Sequence, residues 1–468
     1  MPPRRPSAPV IVPMDTPGSI TGFQRLGYVV LLVFLFLSHS RIFDVKFGFL
    51  HIPGISYRII LVTMLLSRAF LVPLKHPIGK AFFFLSAWFV LSIPFSMWKG
   101  GSTQVLMEQW LPSFVMFLSV SGLLVGFEQC RKAILTVGWG LCVLTFIAFL
   151  WGNTEETGRL FLPNGKFSNP NEMAQALTLG LPLMWVIFNE SKAIGIKVFS
   201  CGVMFLMLMM ISKCGSRGAL ITMGVVVLTV FLRASLMGKT KLLIGGALLI
   251  AIIVGMMPGK LLRRYKTMGS DDDDQMVTMG DDYDAALQGS AIMSTQHRRD
   301  LLKRSIKYTF QHPLFGVGPG MFPVAEDADM RAQGYRKGTW QGTHNSYTQV
   351  SSEEGLPAVF AYIAVIVLSF RKTWQVHKRT REDPRLASIS RCALALNYCI
   401  LIYAVSVFFD YIAYTQMLSV FAGLSLVLDL HSQVEIDRLA ATPAGPAPIP
   451  FAQWRPNWRR TAGMPQEA

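Results

Sequence analysis

The amino-acid sequence predicts an all-α polytopic membrane protein with about twelve transmembrane helices and one long extramembrane loop. Hydrophobic residues make up 51% of the 468 residues and charged residues only 15%, which is well below the roughly 25% usual for soluble domains. Apolar stretches close to the length that crosses a hydrocarbon core recur from Leu26 to Leu430. This composition excludes a soluble globular protein.

The predicted transmembrane helices form two blocks, nine helices in residues 25–257 and three in residues 355–430. Short polar breaks separate successive apolar stretches, so each stretch is long enough to be one span. The predicted segments are 26–40, 57–74, 78–97, 105–126, 133–151, 172–189, 195–212, 217–233, 241–257, 355–371, 392–409 and 411–429.

Lysine and arginine are concentrated in the loop 371–391, which alternation of the spans places on the same side as Arg131, Lys132 and both chain ends. Cytoplasmic loops carry the excess of these residues. Both termini are therefore predicted to be cytoplasmic in a multi-pass protein. The net charge of +16 is explained by this bias and by contact with anionic membrane lipids, so no nucleic-acid partner is expected.

Both ends of the chain, residues 1–24 and 431–468, are rich in proline and are predicted to be disordered cytoplasmic segments. The first lacks a convincing small-residue cleavage site and is predicted to remain uncleaved. The six cysteines lie in or beside apolar spans without a C-x-x-C pair, which is typical of small core residues.

The only long hydrophilic segment is residues 258–354, which the span count places outside the cytoplasm. Its sequence RRDLLKRSIKYTFQHP has helical periodicity and stops at Pro313, so we expect short amphipathic helices along the membrane face. The motif GVGPG follows. Its glycines, Gly316, Gly318 and Gly320, predict a turn at which the backbone approaches another segment closely.

Two basic residues at helix ends are candidates for function. His344 lies where the loop meets the next span, and an imidazole there suits proton transfer; the alternative is a histidine that caps the helix or faces lipid headgroups. Arg217 begins the eighth span, and such an arginine usually faces a partner or a water-filled cavity. The alternative is a side chain that snorkels beside Lys213. On one helix these two cations would repel each other, which favours a shared anion.

The loop helix adds Arg298 and Arg299, whose planar guanidinium groups suit bidentate contacts with phosphate. The alternative is a solvated or lipid-facing basic surface. By the span count, these arginines share a side with Arg217 and His344. The acidic run 270–284 contains an Asp-x-Asp pattern, but four consecutive Asp residues make that match trivial. It is predicted to be a solvated acidic loop, and no metal site is expected.

Several motifs follow the pattern of a known family. HPLFGVGPGMF (312–322) precedes THNSYTQVSSEEGLPAV (343–359), in which His344, Asn345 and Gly355 meet a His-Asn, nine-residue, Gly pattern. SRGAL (216–220) and SNPNEMAQALTLGLPLM (168–184) match two further segments. Over residues 130–430 the chain resembles the O-antigen ligase and O-antigen polymerase superfamily of bacterial membrane glycosyltransferases. Arg298 matches the family's loop arginine, although the adjacent Arg299 leaves open which of the two has that role.

The resemblance implies glycan transfer at the periplasmic face of the bacterial inner membrane, without a metal or another cofactor. The donor would be a glycan linked to undecaprenyl diphosphate, and the acceptor a hydroxyl of a glycan or lipid core. Arg217 with Arg298 or Arg299 would bind the diphosphate, and His344 would orient or deprotonate the hydroxyl, with inversion at the anomeric carbon. The supporting residues would be Asn345, Glu353, Gly316, Gly318 and Gly320. Glu353 would either tune His344 or cap the helix.

Three functions share this pattern of residues: ligating a finished glycan, polymerising repeat units, and glycosylating protein hydroxyls. The sequence favours a ligase or polymerase of a cell-surface polysaccharide, such as lipopolysaccharide or exopolysaccharide, over a protein O-oligosaccharyltransferase. A different class, a flippase or transporter of lipid-linked glycan, also needs many spans and buried charge. Transporters usually have internal repeats and polar residues at the midplane, whereas the charges here gather at one membrane face.

Overall fold

The structure is a computed structural model that describes residues 22–42, 52–155, 158–163, 168–255, 259, 262 and 282–441. Nearly all of these residues are helical, and the one sheet described is a short two-stranded hairpin. Long apolar helices dominate. The prediction of an all-α polytopic membrane protein is confirmed.

The first half of the chain alternates long helices with short connections. Two 3-10 segments, Ala69–Lys75 and Ile93–Phe95, and one π segment, Leu106–Trp110, join helices directly. The helices and strands are α1 Gly22–Ser40, α2 Ile52–Leu66, α3 Pro77–Ser92, α4 Lys99–Val105, α5 Leu111–Leu123, α6 Phe127–Trp151, β1 Asn153–Thr154, β2 Leu160–Phe161, α7 Pro170–Glu190, α8 Ile194–Lys213, α9 Arg217–Arg233 and α10 Leu236–Gly255.

The second half contains three helices of the long loop, followed by three long helices of the bundle. A 3-10 turn, Pro384–Leu386, precedes the second of these long helices. The helices are α11 Asp282–Gln311, α12 Phe322–Ala332, α13 Ser346–Glu354, α14 Leu356–Thr380, α15 Ala387–Ser406 and α16 Gln416–Ala441.

Each of the twelve predicted spans falls mainly on helix, but fewer are long and apolar enough by themselves to cross a membrane. Among the described residues eight helices meet that standard, or nine if α2 and the 3-10 segment after it, bent by 71°, form one span. The other three predicted spans are the broken segment 99–123 and the helices α7 and α9. The count of twelve therefore stays a prediction.

The helix starts follow local chemistry. Asn169, Ser216 and Asn345 each accept a hydrogen bond from a backbone N–H of the first turn of α7, α9 and α13, which satisfies donors that a helix start leaves unpaired. The loop helix α11 ends at Gln311, as the predicted stop at Pro313 requires. At the chain ends, α1 starts at Gly22 and α16 continues to Ala441, so both helices extend into the predicted tails.

The bundle encloses one continuous apolar core, in which α14 packs against α15, α7 against α8, and α1 against α6. Some polar groups within this core pair with each other. The hydroxyls of Tyr362 and Tyr403, both fully buried, lie 2.8 Å apart between α14 and α15. Such pairing matters because an unpaired buried hydroxyl costs roughly 1 to 3 kcal/mol.

The long loop has a small core of its own, which fixes it at one end of the bundle. Leu301 and Tyr308 of α11 pack with Val317, Phe322 and Ala325. The loop thus contains helices as predicted, but α11 is 30 residues long and not short. Residues 270–281 of the acidic run lie outside the described residues. The chain ends 1–21 and 442–468 also lie outside them.

The bundle has two chemically distinct ends. We call the end at which α6, α8 and α15 finish, together with the long loop, the apical end. The other end, where α7, α14 and α16 finish, is the basal end. There the carboxylate of Glu190 meets Arg391 at 2.6 Å and Arg131 at 3.3 Å, and Asp429 meets Lys372 at 2.8 Å and is joined by other cations.

Candidate functional site

The segment around His344 is fastened to the connection between α15 and α16. Ser346 donates its backbone N–H to the carbonyl of Val407 at 2.8 Å and its hydroxyl to the carbonyl of Asp410 at 2.8 Å. Asn345 caps α13 by accepting hydrogen bonds from two backbone N–H groups. Local polar residues therefore fix the segment that follows His344 against the connecting loop at Val407 and Asp410.

The backbone of His344 is strained. Its φ of +51° lies in the left-handed region, which costs a side chain of ordinary shape roughly 1 to 2 kcal/mol. Strain of this kind persists where surrounding contacts enforce it, and it is common at functional sites. Here the cap of Asn345 and the bonds of Ser346 supply those contacts.

A glutamine joins His344 to the loop helix. The side-chain oxygen of Gln341 lies 3.4 Å from Nε2 of His344 and 3.1 Å from Nε2 of His297 on α11. His297 directly precedes Arg298 in the sequence. The loop helix and the His344 segment are thus held together at the turn of α11 that contains Arg298.

Arg298 is half-buried at the apical end, where its charge interacts with those of several other residues. Burial is the largest cause that lowers its pKa, Asp410 opposes this, and the neighbouring guanidinium groups of Arg159 and Arg217 lower it further. Residues far apart in the sequence therefore lie close enough for their charges to interact. The structure brings Arg217, Arg298 and His344 together at one end of the bundle.

His344 has a neutral imidazole at physiological pH. Burial lowers its pKa to about 4, and the positive charges of Arg298 and His297 act in the same direction. A neutral imidazole has a nitrogen that can accept a proton. The site thus offers a base whose strength depends on the charge of its neighbours.

Asp410 is a site residue that sequence reasoning missed. Burial raises the pKa of its carboxyl group to about 7, Glu172 raises it too, and Arg298 and Arg159 oppose the rise. A carboxyl group with this pKa changes its charge near neutral pH. The available signal was an isolated acidic residue between the apolar stretches 392–409 and 411–429.

Arg159 is the second residue missed. It lies on the hairpin between α6 and α7, where its Nε donates to the carbonyl of Cys214 at 3.0 Å and its Nη2 donates to Oδ1 of Asn171 at 2.8 Å. It therefore ties the hairpin to the corner between α8 and α9. Its position between two spans, on the predicted side of Arg217, was the signal in the sequence.

Arg217 is the first residue of α9, and its surroundings correct one step of the sequence reasoning. Lys213 ends α8, and Gly215, with φ of +61°, turns the chain before α9 begins. Lys213 and Arg217 therefore lie on different helices, and the expected repulsion along one helix is wrong. Instead, Arg217 lies near Arg298, and a Cβ added to the adjacent Gly218 would meet Phe409 at 2.8 Å.

The adjacent arginines of the loop helix differ in environment. Arg298 is half-buried, whereas Arg299 is exposed. Consecutive residues on a helix point in directions about 100° apart, so both cannot face the same cluster equally. Of these two arginines, Arg298 is the one whose charge lowers the pKa of His344 and of Asp410.

The glycine turn packs closely against Glu353, Ser96 and Val105. All three of its glycines have positive φ, and a Cβ on Gly316 would lie 2.2 Å from the backbone of Glu353. A Cβ on Gly318 would lie 2.0 Å from Oγ of Ser96 and one on Gly320 2.5 Å from Val105. The turn thus packs backbone directly on its neighbours, as its composition predicts.

Glu353 connects this turn to the loop that carries Asp410. Its fully buried carboxylate accepts hydrogen bonds from the backbone N–H of Gly320 at 2.9 Å and from the hydroxyls of Tyr411 and Tyr414. Burial raises its pKa, and these donors oppose the rise. The hydrogen bonds described for Glu353 thus go to the turn and to the tyrosines. In the described part of the chain, no group of three or more His, Cys, Asp or Glu side chains could hold a metal ion.

Residues 202–363 match the family model described as O-Antigen ligase. The matched segment is about a third of the chain, and it is similar to the O-antigen ligase superfamily. No curated protein matches the chain. The family segment contains Arg217, Arg298 and His344, while Arg159 and Asp410 lie on either side of it. This match supports a role in membrane glycan transfer in general, and the predicted resemblance is confirmed.

Proposed function

We propose that this O-antigen ligase superfamily member transfers glycan from an undecaprenyl-diphosphate carrier to an acceptor hydroxyl, as a ligase or polymerase of a cell-surface polysaccharide. The observation that carries the proposal is a group of charged and titratable side chains at the apical end. It consists of three arginines, the neutral imidazole of His344 and the carboxyl group of Asp410, whose pKa is about 7. In this proposal the apical end is periplasmic, both termini are cytoplasmic, and the chain crosses the bacterial inner membrane twelve times.

The arginines would bind the diphosphate of the donor. Their charges repel one another, since Arg159 and Arg217 both lower the pKa of Arg298. A diphosphate relieves this repulsion and accepts paired hydrogen bonds from guanidinium groups. Negative charge grows on the leaving diphosphate in the transition state, so fixed cations accelerate the transfer electrostatically. In this role they take the place that a divalent cation has in other transferases.

His344 would act on the acceptor hydroxyl. Burial and the charge of Arg298 lower the pKa of His344, which makes the imidazole a weak base. A bound diphosphate offsets the charge of Arg298 and raises the basicity of His344. The base would thus become effective when the donor is present. Attack from the side opposite the diphosphate inverts the anomeric carbon.

A reconstitution assay tests the reaction. Purified protein in proteoliposomes is supplied with polyprenyl-diphosphate-linked glycan and a glycan or lipid-core acceptor, and the product is identified by mass spectrometry. We expect product with wild type and a loss of about 10²-fold or more with His344→Ala, as for removal of a general base. Donor that crosses the bilayer unaltered, with no product formed, contradicts the proposal and supports a flippase.

Carrier-linked intermediates in cells separate the ligase from the polymerase. Loss of a ligase leaves long chains on the carrier, whereas loss of a polymerase leaves single repeats. Glycan on protein that disappears with the gene, with surface polysaccharide intact, supports a protein O-oligosaccharyltransferase instead.

A further inference from the structure

A cavity of about 220 Å³ lies at the apical end, between the last turns of α6 and α8 and the β1–β2 hairpin. Phe149, Leu160 and Met210 give it an apolar wall, and Lys213 and Thr154 add polar groups. One water occupies about 30 Å³ of liquid, so the cavity has room for a small polar group of roughly seven water volumes. It is therefore large enough for a ligand group, not only for a trapped water.

Lys213 is the charged residue of this wall. It ends α8 and is half-buried. Among the residues that the structure describes, none forms a hydrogen bond or an ion pair with its ammonium group. A partly buried cation is costly unless an anion accompanies it. The cavity thus presents one positive charge to whatever occupies it.

The cavity borders the surface that faces lipid. Phe149, which lines it, is 53% exposed, and Leu150 and Trp151 beside it are 60% and 42% exposed. Large apolar side chains exposed at the end of a membrane helix contact lipid, and tryptophan prefers the headgroup level. Charge and depth together favour an anionic lipid headgroup, which attracts each nearby lysine.

The cavity is separate from the arginine cluster. Gly158 and Leu160 line it, while Arg159 between them donates hydrogen bonds to Cys214 and Asn171. The hairpin therefore contributes alternate residues to the cavity and to the site. A ligand in the cavity meets Lys213 and does not replace the donor diphosphate.

We propose that this cavity binds the phosphate headgroup of an anionic glycerophospholipid, with Lys213 as the cation and Phe149, Leu160 and Met210 against the start of the acyl chains. The volume suits one phosphodiester group better than a diphosphate bearing a glycan. Phosphatidylglycerol is the probe of this chemistry. The proposal does not depend on the transfer reaction.

Lipid binding measured by native mass spectrometry tests the site. The protein is transferred from nanodiscs of phosphatidylcholine containing phosphatidylglycerol, and the bound lipid is quantified at several lipid ratios. We expect Lys213→Gln to weaken phosphatidylglycerol binding about fivefold, which corresponds to one lysine at an anionic surface. The matched control is Lys99→Gln, because Lys99 is an exposed lysine at the same apical end but is not among the residues that line the cavity; it should leave binding unchanged.

A second variant keeps the charge and fills the space. Thr154→Trp places a large ring at the cavity, and tryptophan suits a strand. Thr154→Trp should reduce phosphatidylglycerol binding although Lys213 is retained. If Lys213→Gln fails to fold, the binding measured with Thr154→Trp tests the proposal by itself. Unchanged phosphatidylglycerol binding in the folded variants overturns the proposal. Equal binding of phosphatidylcholine, or displacement of phosphatidylglycerol by polyprenyl phosphate, also overturns it.

Discussion

The two ends of the bundle use the same residue types in opposite ways. At the basal end each buried carboxylate is surrounded by cations at hydrogen-bond distance, as Asp429 is by Lys372 at 2.8 Å and Arg379 at 2.9 Å. At the apical end cations surround one another, and Arg298 has its pKa lowered by two other arginines. Ion pairs between opposite charges hold helices together at the basal end, whereas like charges that lie close together at the apical end favour the binding of an anion. The following predictions test this distinction.

The largest effect is expected from Arg298→Ala at the apical end. If Arg298 stabilises the leaving diphosphate, its loss removes a preorganised charge, and kcat should fall by about 10²- to 10³-fold. The Tm should change little, because the neighbouring guanidinium groups of Arg159 and Arg217 repel that of Arg298. Steady-state kinetics and a thermal melt of the same preparation measure both quantities. A lower Tm with normal kcat would contradict the distinction between a functional apical end and a structural basal end.

Asp429→Asn at the basal end should have the reverse effect. The side chain of Asp429 is 9% exposed and holds Lys372, Arg379 and His76. Removing one partner of a buried charge pair costs about 3 to 5 kcal/mol, so the Tm should fall by several degrees. The kcat of the folded fraction should stay that of wild type. A selective loss of kcat would show that the basal charges are not merely structural.

The pH dependence of kcat/KM should show the ionisation of Asp410. Its pKa is raised to about 7, so the carboxylate forms as pH rises from 6 to 8, and kcat/KM should increase by about tenfold across this range if the charged form is the active one. In Asp410→Asn this rise should disappear. The remaining inflection should lie at acidic pH, because the pKa of His344 is about 4. A rise that persists in the variant rules out Asp410 as its source.

The smallest effect is expected from Arg299→Ala. Arg299 is exposed and adjacent to the half-buried Arg298, so its loss should change kcat/KM by no more than about threefold, the range of an exposed charge. It is the matched control for Arg298→Ala, because both substitutions remove one guanidinium group from the same helix turn. Equal losses would mean that the site is a diffuse basic surface.

Local patterns in the sequence were enough for much of the fold. Apolar length identified helical segments, and the cap of Asn345 and the stop at Pro313 follow from backbone chemistry that acts within a few residues. Charge parity placed Arg217, Arg298 and His344 on one side. These features are local or additive along the chain, which is why the sequence alone contains them.

Other features depended on which helices meet. The corner at Gly215 separates Lys213 from Arg217, although spacing suggested one helix. Asp410 and Arg159 join the site because α15 and the hairpin pack beside α9 and α11, and no local pattern encodes that contact.

The sequence by itself determined a helical membrane protein, the family pattern and the residue types available for binding an anion. Only the tertiary structure decided which cations form the ion pairs of the basal end and which lie close to other cations at the apical end. Helix propensity and hydrophobicity act over one or two turns, whereas electrostatic compensation depends on distances of a few ångströms between segments hundreds of residues apart.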